Sequence, residues 1–393
     1  MTRHAGNAAP RTGAGAGPNG RSLHPQHREL VPLPSSPPPN FAEDSGAELK
    51  ARRNGGWEPA DQPLLQPQVW ERVRKLAVRQ LNRLVSLEPK VLRDEYPEAV
   101  HDLRVASRRL QSLLDFLYPA PRPPQIRKLR RRLKQAREVL GDLRNQDVLA
   151  ARMARVLARK RAARREAWQA GYDYVLKQRL KTVELAHREL TRLNLAQVYV
   201  RLREELSQTD RFATSSPAQA VSLPAQGPTG VPAEQTSASK GAADAAARFA
   251  ERLGKLWRDF DALAAKSRRE RGVLHALRIA AKRLRYLVEI AAALDVAGSS
   301  DALRWLRELQ GKLGDWHDLE VLDETLIEML ARRKFLRGNL SLAIAIEKLI
   351  LNLRASKTRQ CHRYLRRAFQ SSAYRQTAGW VNQSAALRLP AAV

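Results

Sequence analysis

The sequence is poor in most of what disulfide scaffolds, metal sites and catalytic centres need. A single cysteine, Cys361, in 393 residues excludes an intrachain disulfide and any cysteine-rich metal site, and a reducing, cytoplasmic setting is the natural expectation. Aromatic residues make up only 6%, too few for the stacking platforms by which proteins read single-stranded bases. No apolar run approaches the roughly 18 residues of a membrane span, and the N-terminus lacks the apolar core of a secretory signal, so no membrane partner is expected. No alternating period-2 run reads as a strand. Phosphate-loop, H-E-x-x-H and zinc-spaced motifs are missing, which leaves no cofactor, no metal site and no catalytic nucleophile to nominate. Carboxylates are scarce relative to cations: 40 Asp+Glu against 70 Lys+Arg gives a formal net charge of +30, and a polyanionic partner follows from that balance.

What is present is helical and said twice. The stretch Ala99-Val100-His101-Asp102-Leu103-Arg104-Val105-Ala106-Ser107-Arg108-Arg109-Leu110 returns as Val273-Leu274-His275-Ala276-Leu277-Arg278-Ile279-Ala280-Ala281-Lys282-Arg283-Leu284. At about 100° per residue, His101, Arg104 and Arg108 share one helix face, while Leu103, Ala106, Leu110, Leu113, Leu114 and Leu117 share the opposite one. His275, Arg278 and Lys282 repeat the arrangement. Arg109 and Arg283 sit about 80° round from the histidines, on the flank of each stripe.

The order of elements also repeats. Residues 1–66, rich in Pro, Gly, Ala and Ser, have no periodic apolar face and are expected to be a disordered tail. Residues 67–206 form a first helical half and 241–372 a second. Between them, 207–240 changes to Ser, Thr, Pro, Gln and Gly and reads as a flexible linker, and 373–393 reads as a polar C-terminal tail. The segments Leu140-Gly141-Asp142 and Leu313-Gly314-Asp315 correspond, and each glycine either kinks its helix or separates it from the next. Aligning on them sets Arg131 opposite Arg304, Lys134 opposite Arg307, and Arg144 opposite His317. The expected fold is all-α: two pseudo-symmetric four-helix bundles joined by the linker.

Charged helix faces are usually solvated surfaces, but a solvated face need only be polar. Here both copies specify His, Arg and a further cation in the same phase. Long cationic side chains at regular spacing suit a phosphate backbone, with arginine able to donate bidentately. The repeated carboxylates, Asp115 with Glu289, Asp142 with Asp315 and Asp147 with Glu320, could orient arginines and cap helices, or hold a divalent ion for phosphoryl chemistry. The absence of a compact ligand set favours the structural role.

The doubled His-x-x-Arg-x-x-x-basic stripe, with the Leu-Gly-Asp segments that follow it, resembles the CHAD domain, the conserved histidine α-helical domain, over about Pro67 to Phe369. The resemblance implies two helical bundles about a basic surface that binds inorganic polyphosphate, including at polyphosphate granules, without enzymatic activity. Carried over position by position, binding falls on His101, Arg104, Arg108, Arg109, His275, Arg278, Lys282 and Arg283, with Arg131, Lys134, Arg304 and Arg307 as further candidates. The family's Leu-Gly-x-x-Arg-Asp-x-Asp pattern departs here to Arg144-Asn145-Gln146-Asp147 and His317-Asp318-Leu319-Glu320. Some relatives carry a triphosphatase module ahead of the CHAD region, and the residues before Pro67 lack its Glu-x-Glu-x-Lys motif. The alternatives are a nucleic-acid-binding protein, which the same charge would serve, and a metal-dependent phosphohydrolase using the carboxylates.

Overall fold

The computed structural model describes residues 68–159, 164–208, 233–267 and 270–386. All regular elements among them are helical, with no strand, as the sequence leads one to expect. The first half supplies α1 (Val69–Leu92), α2 (Pro97–Leu117), α3 (Pro124–Leu157), α4 (Arg165–Leu193) and α5 (Leu195–Ser207). The second supplies α6 (Ala233–Ser267), a 3-10 turn (Arg271–Val273), α7 (Leu274–Ala293), α8 (Ser299–Leu330), α9 (Arg333–Gly338), α10 (Leu340–Ala368) and α11 (Ser372–Ala385). The expected N-terminal tail lies outside the described residues, as does most of the expected linker.

Local chemistry sets the ends of these helices. Pro97 and Pro124 stand in the first turns of α2 and α3, where a missing N–H costs nothing. Asn194 ends α4 with a left-handed backbone (φ 47°), and its side chain accepts a bond from the Gln197 N–H to start α5. Gly298 precedes α8 at φ +76°, and a Cβ there would also lie 2.7 Å from the Trp380 ring, so two separate constraints demand glycine. The other two glycines singled out by the sequence do not break anything: α3 runs through Gly141 and α8 through Gly314.

Two segment boundaries shift. Helix α6 already begins at Ala233, inside the stretch read as linker, because Ala233-Glu234-Gln235 and the alanines after them are strong helix formers once the prolines end. The expected C-terminal tail is largely α11, started by the Ser371 hydroxyl accepting from the Tyr374 N–H and anchored by buried Thr377, Val381 and Ser384. Its apolar face is too short to stand out from sequence, and residues 387–393 are not described.

The apolar cores do not divide at the linker. The larger one joins α1, α2, α5, α6, α7 and α11 with the N-terminal portions of α3 and α8. The smaller gathers Met153 and Leu157 of α3, Trp168 and Val175 of α4, Leu322 and Leu326 of α8, and Ile346 and Ile350 of α10. Both cores therefore draw on both halves, and the long helices α3 and α8 run from one core into the other. All six apolar residues read on the back of the first stripe are buried, which turns α2 cationic side outward.

Polar groups fasten α2 to its neighbours. At its end, Asp115 accepts from Arg122 of the α2–α3 connection (3.4 Å), from Arg252 of α6 (3.1 Å) and from Arg130 of α3. Between α2 and α7, Arg109 Nε meets Glu289 Oε2 at 3.1 Å, with the two side chains 2% and 1% exposed. Arg285 joins the same carboxylate at 2.5 Å. Removing one partner of a buried ion pair strands the other's charge and costs about 3–5 kcal/mol. Glu289→Ala, which removes the buried carboxylate that Arg109 and Arg285 share, is expected to lower stability by that order in urea or thermal unfolding. Asp301→Ala, whose pair with Arg304 is 79% and 69% exposed, should leave the transition where it is.

Candidate functional site

The packing of α2 against α7, with α3 and α8 alongside, brings the two stripes into one cluster. Arg104 feels the charges of Arg108, Arg137 and Arg144. Lys282 feels Arg278 on its own helix and, across the interface, Arg108 and Arg104. His317 of α8 stands beside Arg278, Lys282 and His275, its ring 5.9 Å from that of His275 in an edge-on arrangement. The cluster is half-buried, and it is cationic from both sides of the molecule's sequence.

Some of its members are fixed in place by neutral acceptors. Arg104 Nη1 donates to the Arg137 carbonyl oxygen, which lays its guanidinium across α3 beside Gly141, 3.7 Å from where a Cβ would be. Arg137 in turn donates to Ser107 Oγ at 2.9 Å and to Gln111 Oε1. These contacts orient guanidinium groups without neutralising them. Arg108, Arg144, Arg278 and Lys282 have no hydrogen-bond or ion-pair partner among the described residues, and Arg278 Nε is buried with its donor unmet.

Burial and like charge act together on the titration of the cluster. Burial, reinforced by Arg278, Arg108 and Arg104, pulls Lys282 from an ordinary 10.5 down to about 6. Burial and then Arg144 pull His101 to about 4, and burial with Arg278 does the same to His317. Arg104 falls to about 9, and Arg137 to about 10, for the same two reasons. With nothing bound, His101, His317 and Lys282 are thus mostly neutral at pH 7, and an arriving anion would restore their charge.

The sequence matches the CHAD domain family over residues 75–327, more than half of the chain, and the geometry just described rests on those residues. The chain belongs to the CHAD domain family. The crystal structure of the CHAD domain from the plant Ricinus communis is similar at a TM-score of 0.50 and 22% identity, over 82% of this chain and 93% of that one. PptA from Streptomyces chartreusis is matched at a TM-score of 0.45 and 13% identity, over 77% of this chain and 99% of that one. At such identity the Ricinus likeness speaks to the fold alone. No curated protein matches the sequence.

Within this CHAD domain the residues read from sequence part company. His101, Arg104, Arg108, Arg278 and Lys282 come together, with His275 exposed at the edge beside His317. Arg109, expected on the flank of the stripe, is instead buried against Glu289, because a position 80° round the helix falls on the α2–α7 contact and not in solvent. Its counterpart Arg283 is exposed. Arg131 and Lys134 are exposed on α3, Lys134 paired with Glu138 at 3.2 Å. At 1.5 Å per residue they precede Arg137, the first cluster residue of α3, by about 9 and 4.5 Å along the helix, and about 20 and 15 Å separate them from Arg144. Arg304 is exposed and paired with Asp301 at 3.0 Å, and Arg307 is half-buried about 15 Å before His317. Arg137 was not among the sequence candidates. Its signal is a seven-residue spacing to Arg144, which places both on one face of α3 in line with the cluster.

The carboxylates go mostly to ion pairs. Asp147 is buried on Arg179 at 2.7 Å, an arginine that also grips Asp94, and Glu320 pairs with Lys357. Asp142 and Asp315 are exposed. Among the described residues no group of three His, Cys, Asp or Glu side chains is placed to hold a metal ion, and no helix is long and apolar enough to cross a membrane.

A buried lysine without a counter-charge destabilises the fold that holds it. Between pH 6 and 10.5 the unfolded chain binds a proton at Lys282 that the folded chain has released, so stability rises with pH across that window. Lys282→Met is expected to raise the ligand-free midpoint at pH 7 and to flatten this rise. A melting series from pH 6 to 10 on both proteins checks it, and an unchanged slope would count against a buried, charge-crowded lysine.

Proposed function

We propose that the chain binds inorganic polyphosphate without turning it over, through the cluster of His101, Arg104, Arg108, Arg137, Arg144, Arg278, Lys282 and His317. The observation that carries the reading is a set of cations drawn from four helices and both sequence halves, of which Arg108, Arg144, Arg278 and Lys282 have no hydrogen-bond or ion-pair partner among the described residues. Side chains held this way wait for external charge, and a chain of phosphates supplies anionic oxygens at short, regular intervals. Membership of the CHAD family supports it, as does the half-buried setting, which a thin flexible polyanion enters more readily than a duplex. Enzymatic turnover has no support in the residues gathered here. Association with polyphosphate granules would follow in a cell that makes them.

Binding of this kind releases counterions, so the logarithm of affinity should fall steeply with the logarithm of salt, with a slope of about −3 to −4 for about five phosphate contacts on a single-stranded polyanion. Replacing Arg104, Arg108, Arg278 and Lys282 together by Ala should weaken binding of long polyphosphate by at least about 100-fold while the helical circular-dichroism spectrum persists. Unchanged affinity in that variant would sink the reading. Competition between polyphosphate and duplex DNA or RNA at matched charge and salt decides against a nucleic-acid role if polyphosphate wins by a wide margin. Because bound phosphate restores protons to Lys282, His101 and His317, binding should take up protons near pH 7, and affinity should fall as pH rises from 6 to 9. Calorimetry in buffers of different ionisation enthalpy reads that uptake directly.

A further inference from the structure

Beyond the cluster, α3, α8 and α10 enclose a second cationic space. It is a cleft of about 550 Å³ whose lining includes Arg152 and Arg155 of α3, Lys312 of α8, and Arg363 and Arg367 of α10. Its cations are largely uncommitted. Arg152, Arg363 and Arg367 have no hydrogen-bond or ion-pair partner among the described residues, and Arg155 Nε reaches only the Ala151 carbonyl of its own helix. Lys312 meets Asp315 at the limit of contact, 4.0 Å. None of these residues belongs to the doubled stripe.

The cleft and the cluster share a wall. Asp318 lines the cleft, and its carboxyl feels Arg152 on the cleft side and both Arg144 and Arg278 on the cluster side. One half-buried carboxylate therefore stands between two groups of arginines, with cationic charge continuing past it along α3 from Arg144 to Arg152 and Arg155. The eight residues from Arg144 to Arg152 rise about 12 Å, a distance that a chain of several phosphates can span but a single phosphate cannot.

Resting on the polyphosphate reading of the cluster, the geometry points to the α3–α8–α10 cleft as a second binding segment for the same chain. Phosphates seated on the cluster hand the polymer over Asp318 to Arg152, Arg363 and Arg367. Once the first segment is bound, the second meets the chain at the high effective concentration of a tethered ligand. Chain-length preference then arises from this cleft: a short oligomer occupies the cluster alone, and a long one occupies both.

The test compares tripolyphosphate with polyphosphate of about 100 units, on wild type and on the triple variant Arg152→Gln, Arg363→Gln, Arg367→Gln. Arg363 and Arg367 are exposed and Arg152 is half-buried without a partner, so the fold should persist, and a matching melting curve verifies that. The expected result is a loss of about 10- to 100-fold for the long chain in the variant, with tripolyphosphate within about twofold of wild type. Equal affinity of the long chain for both proteins overturns the inference, as does an equal loss for short and long chains, which would mean a general weakening of the positive field. Failure of the underlying reading looks different: wild type then binds neither probe, or the fourfold cluster variant binds both as wild type does.

Discussion

Like charges held together inside low dielectric are the constraint on which this structure turns. Two unit charges 6 Å apart at an effective dielectric near 20 repel by about 3 kcal/mol, and each half-buried cation also forfeits part of its hydration. Arg104, Arg108, Arg137, Arg278 and Lys282 face both penalties, and the depressed titration of Lys282 and Arg104 is their visible result. Helices α2 and α7 stay together because their opposite faces are continuous apolar core and because Glu289, at 1% exposure, holds Arg109 and Arg285 behind the cluster. That carboxylate sits where it can bind the two helices without neutralising the stripe in front of it.

Where carboxylates are kept away matters as much. Asp115 is ringed by Arg122, Arg130 and Arg252 at the far end of α2, and Asp147 is taken by Arg179. Each satisfies arginines that brace helices and neither forms an ion pair with the cluster; Asp318 is a carboxylate whose charge does reach its edge, at Arg144 and Arg278. The neutral acceptors that do reach the cluster, the Arg137 carbonyl, Ser107 and Gln111, fix direction and leave charge intact. An arginine oriented by neutral groups has lost side-chain entropy before any anion arrives, which lowers the cost of binding one. The same device leaves the empty protein less stable than an apolar version of the site would be, a familiar exchange between function and stability.

The stripe was legible from sequence because a helix repeats every 3.6 residues, so one-dimensional spacing fixed which side chains share a face. The same logic failed at the edges of that face. Arg109 and Arg283 occupy equivalent phases in α2 and α7, yet Arg109 is buried and Arg283 is exposed, and what separates them is which neighbouring helix covers the flank. Arg131, Lys134, Arg304 and Arg307 were nominated by alignment of the halves, which says nothing of distance along an axis; the third helices cross the cluster lower down, at Arg137, Arg144 and His317. Helix α11 was missed for a third reason: fourteen residues with small and polar contacts, Thr377 and Ser384 among them, carry too little hydrophobic periodicity to be told from a tail.

The two halves do not contribute equally, and the inequality has a direction. At the offset of 173 residues that relates Gly141 to Gly314, Arg137 and Arg144 of α3 answer to Gln310 and His317 of α8. The first half thus places two arginines where the second places an amide and a histidine that burial keeps neutral at pH 7. Positive potential is therefore stronger along α3 than along α8, and it continues on α3 through Arg152 and Arg155, whereas at the same offset α8 presents Thr325 and Glu328. A flexible polyanion lying across the α2–α7 contact would meet its steepest attraction along α3, toward the cleft shared with α10. A doubled motif suggests a symmetric site; the residues around it make the site a polar one, with one preferred exit for a bound chain.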